Sequence, residues 1–543
     1  MSTAAPHKSK DQAGDAGGVN ARIVYPISGA ALAMTPELSP EALGFKAYNL
    51  ARMAGLGLNV PPAFVIGTGF CADPASVEPS IWRDALQTLE QAAGLRLGDA
   101  HRPLLVSVRS GAPVSMPGMM ETLLNIGLTG ATLAGLIRQT GHPKLAWDAY
   151  RRLIAGFGEV VAGVDARHFE ADLDAVRGSE DERALDFAAL REVANRHLET
   201  FQREAGRPFP QDAAQQLGEA IGAVFRSWSS DKAMTYRNLH GLSHDMGTAV
   251  TVQRMAFGNA GGLSGAGVGF TRHPSTGEPS PWVDFLFNAQ GEDVVSGRRT
   301  AQGHDELAAV APPLWDELVR VAHTLEQHFG DMQDFEFTIE NARLFMLQTR
   351  NGKRTPRAAA RIALDLLDEG VIDVATARQR TDGLDAAALS VSTLSTGDGQ
   401  ALAPIARAAS AVTGVTSGAI AFDEAAARRR KQSGGRVILV RRDAETRDIA
   451  ALDLADGLLT QHGARTSHAA VVARQLGKVC LVGCEDMTLD EAAGCLVIGG
   501  VSYPEGSTLT LDGNTGSIYA GAAVIGQDVP HELLARLDRL RQQ

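Results

Sequence analysis

The sequence predicts a multidomain protein of mixed α/β and α+β class, and three observations carry that expectation. At 543 residues the chain exceeds what one hydrophobic core normally covers, which favours roughly three domains. Strand-like and helical patterns alternate from residue 21 to about residue 355, with Gly and Pro between them. From about residue 401 onward come short apolar runs, RVILVRR, DGLLT, KVCLVG and STLTLDG, separated by turns and one helix, as in a compact β-rich module.

Composition narrows the class. Hydrophobic residues make up 44% and charged residues 21%, the profile of ordinary globular domains. The formal charge of −12, from 51 basic and 63 acidic residues, argues against nucleic acid or an anionic membrane as partner, while leaving room for local phosphate pockets. The opening MSTAAPHKSKDQAGDAGG has no apolar core and no later stretch is long and apolar enough to span a bilayer, so a cytoplasmic protein is expected. Four cysteines in so long a chain suggest reduced thiols. Cys480 and Cys484 stand in the apolar run KVCLVGC without a second pair nearby, so burial is expected rather than zinc.

In chain order, residues 1–20 read as a flexible tail and 21–355 as a first domain. Within it, about 165–235 carries apolar residues at helical spacing, as in ALDFAALREVANRHLETFQ, and predicts a helical insert. Residues 356–400 combine an amphipathic helix, RTPRAAARIALDLLDEG, with the Ser/Thr/Gly-rich LSVSTLSTGDGQ, and are expected to be a helical, flexible linker. Residues 401–525 form the β-rich module. The last segment, 526–543, is a terminal amphipathic helix with Leu533, Leu534, Leu537 and Leu540 on one face, which either docks a partner or packs back on that module.

The segment LLTQHGARTSHAAVVARQLGKVCLVGC predicts a strand, a Gly-containing turn, a helix over about Ser467–Leu476, Gly477 as its cap and another strand. His468 then lies in the first helical turn, where free backbone N–H groups and the positive end of the helix dipole would stabilise a phosphate attached to it. The same field favours the neutral imidazole that a nucleophile must be, and Thr466 or Ser467 can add hydroxyl donors. An isolated histidine at a helix start is more often simply polar, and His462 has only that meaning. What changes the balance at His468 is its surroundings: T-S-H-A-A-V-V-A-R, then G-K, then V-G-C resembles the phosphohistidine signature of the pyruvate phosphate dikinase and phosphoenolpyruvate synthase family. The resemblance implies that His468 accepts a phosphoryl group from ATP and swivels with its domain to deliver it elsewhere. DGNTGSIYAG at 512–521 resembles the end of that swivelling module.

An ATP site needs cations and backbone amides for the phosphates, acidic groups for Mg²⁺ and polar groups for ribose and base. Lys46 in LGFKAYNLARMAGLGLNVPPAFVI and Arg109 in PLLVSVRSGAPVSMPGMMETLLNIGL resemble the family's phosphate-contacting lysine and arginine; taken alone, each would read as a surface charge. The segment FGNAGGLSGAGVGFTRHPSTGE gathers Gly258, Gly261, Gly262, Ser264, Gly265, Gly267 and Gly269, and reads as one loop open to an anion. No G-x-x-x-x-G-K-[ST] motif is present, so an ATP-grasp-like clamp fits better than a P-loop. In MQDFEFTIENARLFMLQTRNGKRT the alternation puts Asp334 and Glu336 on one strand face, where they could hold Mg²⁺. Gln348 and Arg350 share a face of the next strand as candidate nucleotide and phosphate contacts.

The resemblance covers nearly all of residues 22–522, including AWDAYRRLIAGFGEVVAGV, DMGTAVTVQRMAFGN and FLFNAQGEDVVSG. Two departures bear on the nucleotide half-reaction. Ala266 stands where the dikinase pattern usually has threonine, and Arg465 directly before Thr466 looks more like the synthase. The resemblance implies a set of roles: His468 as nucleophile, Lys46, Arg109 and Arg350 as charge stabilisers, and ATP, inorganic phosphate and Mg²⁺ as ligands. Full-length members continue into a phosphoenolpyruvate- or pyruvate-binding barrel, so the expectation is an acceptor site on a partner chain. A different acceptor, or a degenerate nucleotide-binding regulator, are the alternatives; the second is disfavoured because every candidate group is present.

Overall fold

The computed structural model describes residues 22–27, 38–114, 116, 120–178, 182–295, 303–395, 403–443, 448–463, 465, 467–490 and 494–542. The expected tail at 1–20 lies outside them. The described chain divides into two compact units. One comprises the residues up to Gly262 with Ile339–Asn341 and Phe345–Gln348; the other comprises Leu263–Thr338, Ala342–Leu344 and the residues from Thr349 onward.

In the first unit, strands β1 (Val24–Ile27), β2 (Ala63–Ile66), β3 (Val106–Gly111), β4 (Thr122–Ile126) and β5 (Ala249–Arg254) form an antiparallel sheet in the order β1-β2-β5-β3-β4. Nearly every side chain of β2 and β5 is buried, which is why these strands read as continuous apolar runs. Helices fill the chain between β4 and β5, beginning at Gly130–Thr140 and Pro143–Ala162, earlier than the periodicity at 165–235 indicated. Pro143–Ala162, Phe187–Ala205 and Ala213–Ser227 bury Phe157, Phe201, Leu217 and Phe225 in one cluster with Val106, Val108, Val250 and Val252. Their apolar stripe therefore completes the core of the sheet.

Helix α1 (Pro40–Gly55) starts from the N-cap Ser39, whose hydroxyl accepts from Ala42 N. It is interrupted at Gly44, where φ is 71°. A Cβ there would stand 1.8 Å from the carbonyl oxygen of Gly111 at the end of β3, so only glycine lets helix and strand approach this closely.

The second unit holds a four-stranded sheet of β6 (Gly265–Phe270), β7 (Trp282–Phe287), β8 (Gln333–Glu340) and β9 (Arg343–Asn351), in the order β9-β8-β6-β7. Parts of β8 and β9 are the residues grouped with the first unit. Helices α2 (Pro312–Phe329) and α3 (Pro356–Asp368) border it. The buried Arg272 binds Glu326 of α2 at 2.7 Å and Glu369, just past α3, at 2.8 Å, so the cation is paired where it is desolvated.

Four parallel strands, β10 (Val415–Ala421), β11 (Val437–Arg441), β12 (Gly457–Thr460) and β13 (Val479–Val482), form the centre of an eight-stranded sheet. Antiparallel strands flank them, with Thr508–Asp512 beside β10 and Ala409–Val412 beside β13. The helices Glu424–Gln432, Ile449–Leu454 and α4 (His468–Gln475) connect the four in succession.

Residues 356–395 carry more order than their composition suggests. α3 and Val374–Thr381 pack against the terminal helix α5 (His531–Gln542), burying Leu533, Leu537 and Leu540 with Ala360, Leu364, Ala377 and Leu389. Arg536 adds ion pairs of 2.8 Å to both Asp365 and Asp368. The leucine face is thus covered by the preceding helices, neither open to a partner nor packed on the module. The strand Val391–Leu394 pairs antiparallel with Ile525–Asp528, so the chain enters and leaves the module along one two-stranded ribbon. Residues 396–400 of the Ser/Thr/Gly-rich piece lie outside the described residues.

Candidate active site

The candidate residues of the first unit meet at the end of its sheet. Lys46 follows the Gly44 break in α1, and its Cβ lies 3.8 Å from where a Cβ on Gly111 would be. Phe45 N donates to Ala112 O at 2.9 Å, fixing α1 on the end of β3. Two residues earlier on β3, Arg109 stands opposite Thr251 of β5 and donates from Nη2 to Gln348 Oε1 at 3.3 Å. Lys46, Arg109 and Gln348, more than 300 residues apart in sequence at the extremes, therefore belong to one region of one unit. Arg254 and the amide of Phe257 bind Glu340 at 2.7 and 3.0 Å, tying the end of β8 to β5 and the residues that follow it. Gly262 closes the unit with φ 55° and open space around it, while a Cβ on Gly261 would meet the His142 ring at 2.4 Å.

The glycine-rich segment is not one loop. Gly258, Gly261 and Gly262 precede the strand, but Gly265, Gly267 and Gly269 are buried inside β6. A Cβ at Gly265 would stand 2.2 Å from the Phe285 ring, one at Gly267 would be 2.4 Å from the Phe337 ring, and one at Gly269 would be 2.9 Å from Phe335. Aromatic rings crossing the strand fill the space that these three glycines leave, so the single loop expected from the sequence is partly strand. Ser264 at the strand start is fully buried, and its carbonyl accepts from Asn288 N at 3.0 Å. Ala266 packs with Leu286, Ala289 and Val294, so the departure from threonine falls in a core position.

Asp334 and Glu336 alternate with buried neighbours along β8, on one face as expected. Arg350 of β9 donates from Nε to Asp334 Oδ2 at 2.8 Å. Burial pushes the Asp334 carboxyl above its ordinary range, against the pull of Arg350 and Arg474, and Glu336 beside it pushes the same way. Two like charges on a desolvated strand face favour a divalent cation between them and phosphate oxygens, which is how Mg²⁺ is usually held. Among the described residues, no group of three or more His, Cys, Asp or Glu is placed to hold a metal by protein ligands alone. Cys480 and Cys484 are buried, and burial pushes their thiols up to about 12 and about 11.

The histidine helix starts as the pattern predicted. The Ser467 hydroxyl caps α4 by accepting from Ala470 N at 3.4 Å, His468 is its first residue, and Gly477 at φ 64° follows its end. Only the backbone of His468 is described, and Thr466 lies outside the described residues. His462 is exposed beside Asp443, with Nδ1 3.2 Å from Oδ1.

Arg465 before this helix and Arg474 in its last turn both make contacts that hold it, and neither was among the candidate site residues. Arg465 donates from Nε and Nη2 to Asp284 Oδ1 at 2.8 and 2.6 Å, reaches Val283 O at 3.2 Å, and lies 4.3 Å over the Trp282 ring. Arg474, 1% exposed, donates to Ala411 O at 2.9 Å and to Arg465 O at 3.3 Å, with its guanidinium 5.2 Å from Phe270. Burial lowers it to about 10. Both bring the histidine module against the β6–β7 hairpin. The available signal was Asp284 itself, a lone carboxylate in the apolar run WVDFLF.

Two family profiles match this chain. "Pyruvate phosphate dikinase, AMP/ATP-binding domain" matches residues 73–308 and 304–370. "PEP-utilising enzyme, mobile domain" matches residues 434–516. The protein is thus one in which a nucleotide-binding domain precedes a mobile domain. It belongs to the pyruvate phosphate dikinase family. Similar relatives are the pyruvate, phosphate dikinases of Clostridium symbiosum (42% identity, covering 88% of this chain and 56% of the relative) and Rhizobium meliloti (42%, 89% and 56%). Pyruvate, phosphate dikinase 2 of Zea mays is 40% identical over 89% of this chain and 56% of its own length. The chain thus spans about half the length of the curated relatives it matches. Among the described residues no helix is long and apolar enough to cross a membrane.

Proposed function

We propose that this protein is an ATP-dependent phosphotransferase that carries the phosphoryl group on His468, with an ATP-grasp-like nucleotide domain and a swivelling phosphohistidine domain. The imidazole attacks ATP, AMP leaves, and the resulting pyrophosphorylated histidine gives one phosphoryl group to inorganic phosphate. The products are phospho-His468, AMP and pyrophosphate. Lys46, Arg109 and Arg350 stabilise charge developing on the transferred phosphoryl oxygens, and Gln348 orients the nucleotide. Mg²⁺, held by Asp334 and Glu336, would neutralise the phosphates.

The observation that carries this lies within the second unit. Arg474, on the helix that His468 opens, lies 5.2 Å over Phe270 of β6, the strand next to β8 with its Asp334 and Glu336, so the histidine helix packs on the sheet that carries the candidate cation site. The acceptor of the phosphoryl group belongs to another domain. We place it on a partner chain carrying a phosphoenolpyruvate- or pyruvate-binding barrel, and restored turnover on adding such a barrel tests that part.

The direct test is incubation with labelled ATP, Mg²⁺ and phosphate. Acid-labile, base-stable label should appear and vanish in His468→Ala, with AMP as nucleotide product. Label persisting in the variant, or ADP alone as product, rules the proposal out.

A further inference from the structure

Buried polar atoms without partners are rare in folded proteins, so each one asks for a reason. Thr251 Oγ1 is such an atom among the described residues. Thr251 lies midway along β5, the central strand of the first sheet, and is 4% exposed. Directly opposite it on β3 stands Arg109, so the two Cβ atoms share a face and are roughly 4.5–5.5 Å apart. Val106, Val108, Val250 and Val252 alternate with them and point into the apolar cluster, which leaves Thr251 and Arg109 on the face where α1 packs.

The polar side chains on either side of Thr251 are bonded. Ser107 Oγ donates to Gln253 O at 3.5 Å, and Gln253 Nε2 donates to Pro61 O at 3.2 Å. Thr248 Oγ1, just before β5, accepts from Gly111 N at 3.1 Å and donates to Ala249 O at 3.0 Å. Among these, only the Thr251 hydroxyl has no partner. Valine has the same shape and would avoid the penalty of a buried hydroxyl left unbonded. A use for that hydroxyl stands beside it. The guanidinium of Arg109 carries five N–H groups in a fixed fork, and its Nη2 reaches Gln348 Oε1 only at 3.3 Å, longer than the usual range for such a bond.

Resting on the phosphate-contacting role proposed above for Arg109, we infer that Thr251 is a positioning residue for it, its hydroxyl accepting a hydrogen bond from the guanidinium when nucleotide is bound. In the empty site Gln348 Oε1 holds Nη2. When phosphate oxygens draw the fork away from Gln348, Nε–H turns to Thr251 Oγ1. That bond fixes the stem of the side chain and leaves Nη1 and Nη2 parallel for a bidentate grip on one phosphate. Gln348 Oε1 gives up its bond to Arg109 in the same movement and can turn to the nucleotide that it orients.

Calorimetric binding of a non-hydrolysable ATP analogue with Mg²⁺ decides this in a cycle of wild type, Thr251→Val, Arg109→Lys and the double variant of the full chain. Thr251→Val should weaken binding roughly tenfold or more, since a hydrogen bond to a charged group is lost, and Thr251→Ser should restore it. In the Arg109→Lys background the same substitution should change the affinity by no more than about twofold, because lysine has no fork to hold. Thermal unfolding without nucleotide should find Thr251→Val at least as stable as wild type. Wild-type affinity in Thr251→Val overturns the inference, and so does a loss of undiminished size in the Arg109→Lys background, which would mean that the hydroxyl acts through packing. A lower Tm or failed folding of Thr251→Val overturns it as well, because the hydroxyl would then be bonded in the empty protein. If the wild type binds no analogue, the nucleotide reading itself has failed; wild-type binding with an indifferent Thr251→Val sinks this inference alone.

Discussion

Asp284→Asn keeps the shape of the side chain and removes its charge, which makes it a clean probe of how the histidine module is held on the β6–β7 hairpin. Arg465 gives Asp284 two hydrogen bonds at 2.8 and 2.6 Å, and the carboxylate is only 1% exposed while the arginine is 20% exposed. Turning a charge-assisted bond into a neutral one weakens it by about 1 kcal/mol, so two bonds lose about 2 kcal/mol, or about thirtyfold in the docking equilibrium. The stacking of Arg465 on Trp282 survives, so docking weakens without being abolished. The assay pairs rapid-quench labelling of His468 with hydrogen exchange at the amides of 282–287. Labelling should slow by up to that factor and the hairpin amides should exchange faster. An Asp284→Asn protein that labels and exchanges as wild type would refute the claim that this pair holds the module.

The buried His197, 2% exposed and 3.2 Å from Asp172, is pushed down to about 4 from 6.5 by burial, which outweighs the aspartate's pull. A base lowered in the folded state contributes stability fully present above the unfolded pKa and lost as pH falls, so about 3 kcal/mol should disappear between pH 6.5 and 4. Urea titrations across that window should show the slope, and His197→Gln should flatten it; an unchanged slope in the variant contradicts the assignment. Gly267→Ala should destabilise the second unit by about 1–3 kcal/mol through its clash with Phe337, and adding Phe337→Leu should recover part of the loss. Normal stability in Gly267→Ala with lost ATP binding would instead point to a phosphate role for the glycine.

How much was legible depended on how local the signal was. The start of α4, its serine cap and Gly477 after its end are written in eleven consecutive residues, and the alternation that puts Asp334 and Glu336 together is a matter of two positions on one strand. The glycines of β6 misled because a Gly-x-Gly-x-Gly pattern has the same appearance whether an anion or an aromatic ring needs the space. The rings, Phe285, Phe335 and Phe337, come from strands later in the sequence. Arg465 and Asp284 are 181 residues apart, and nothing in either neighbourhood names the other. The leucine face of α5 was recognised correctly as apolar, but its cover, Leu364 and Ala377, sits in a segment whose later Ser/Thr/Gly-rich part drew attention away from its helices.

The ribbon made by Val391–Leu394 and Ile525–Asp528 gives the histidine module the topology of an insertion. Its first and last residues leave the host side by side, at the spacing of neighbouring strands, roughly 5 Å. A body attached at two adjacent points adds almost no loop-closure entropy to the chain that hosts it, and can be removed or exchanged without stretching what remains. Evolution could therefore transplant such a carrier between hosts as a cassette, keeping the four-residue hem at each end and rewriting only the surface that meets the new substrate-bearing neighbour.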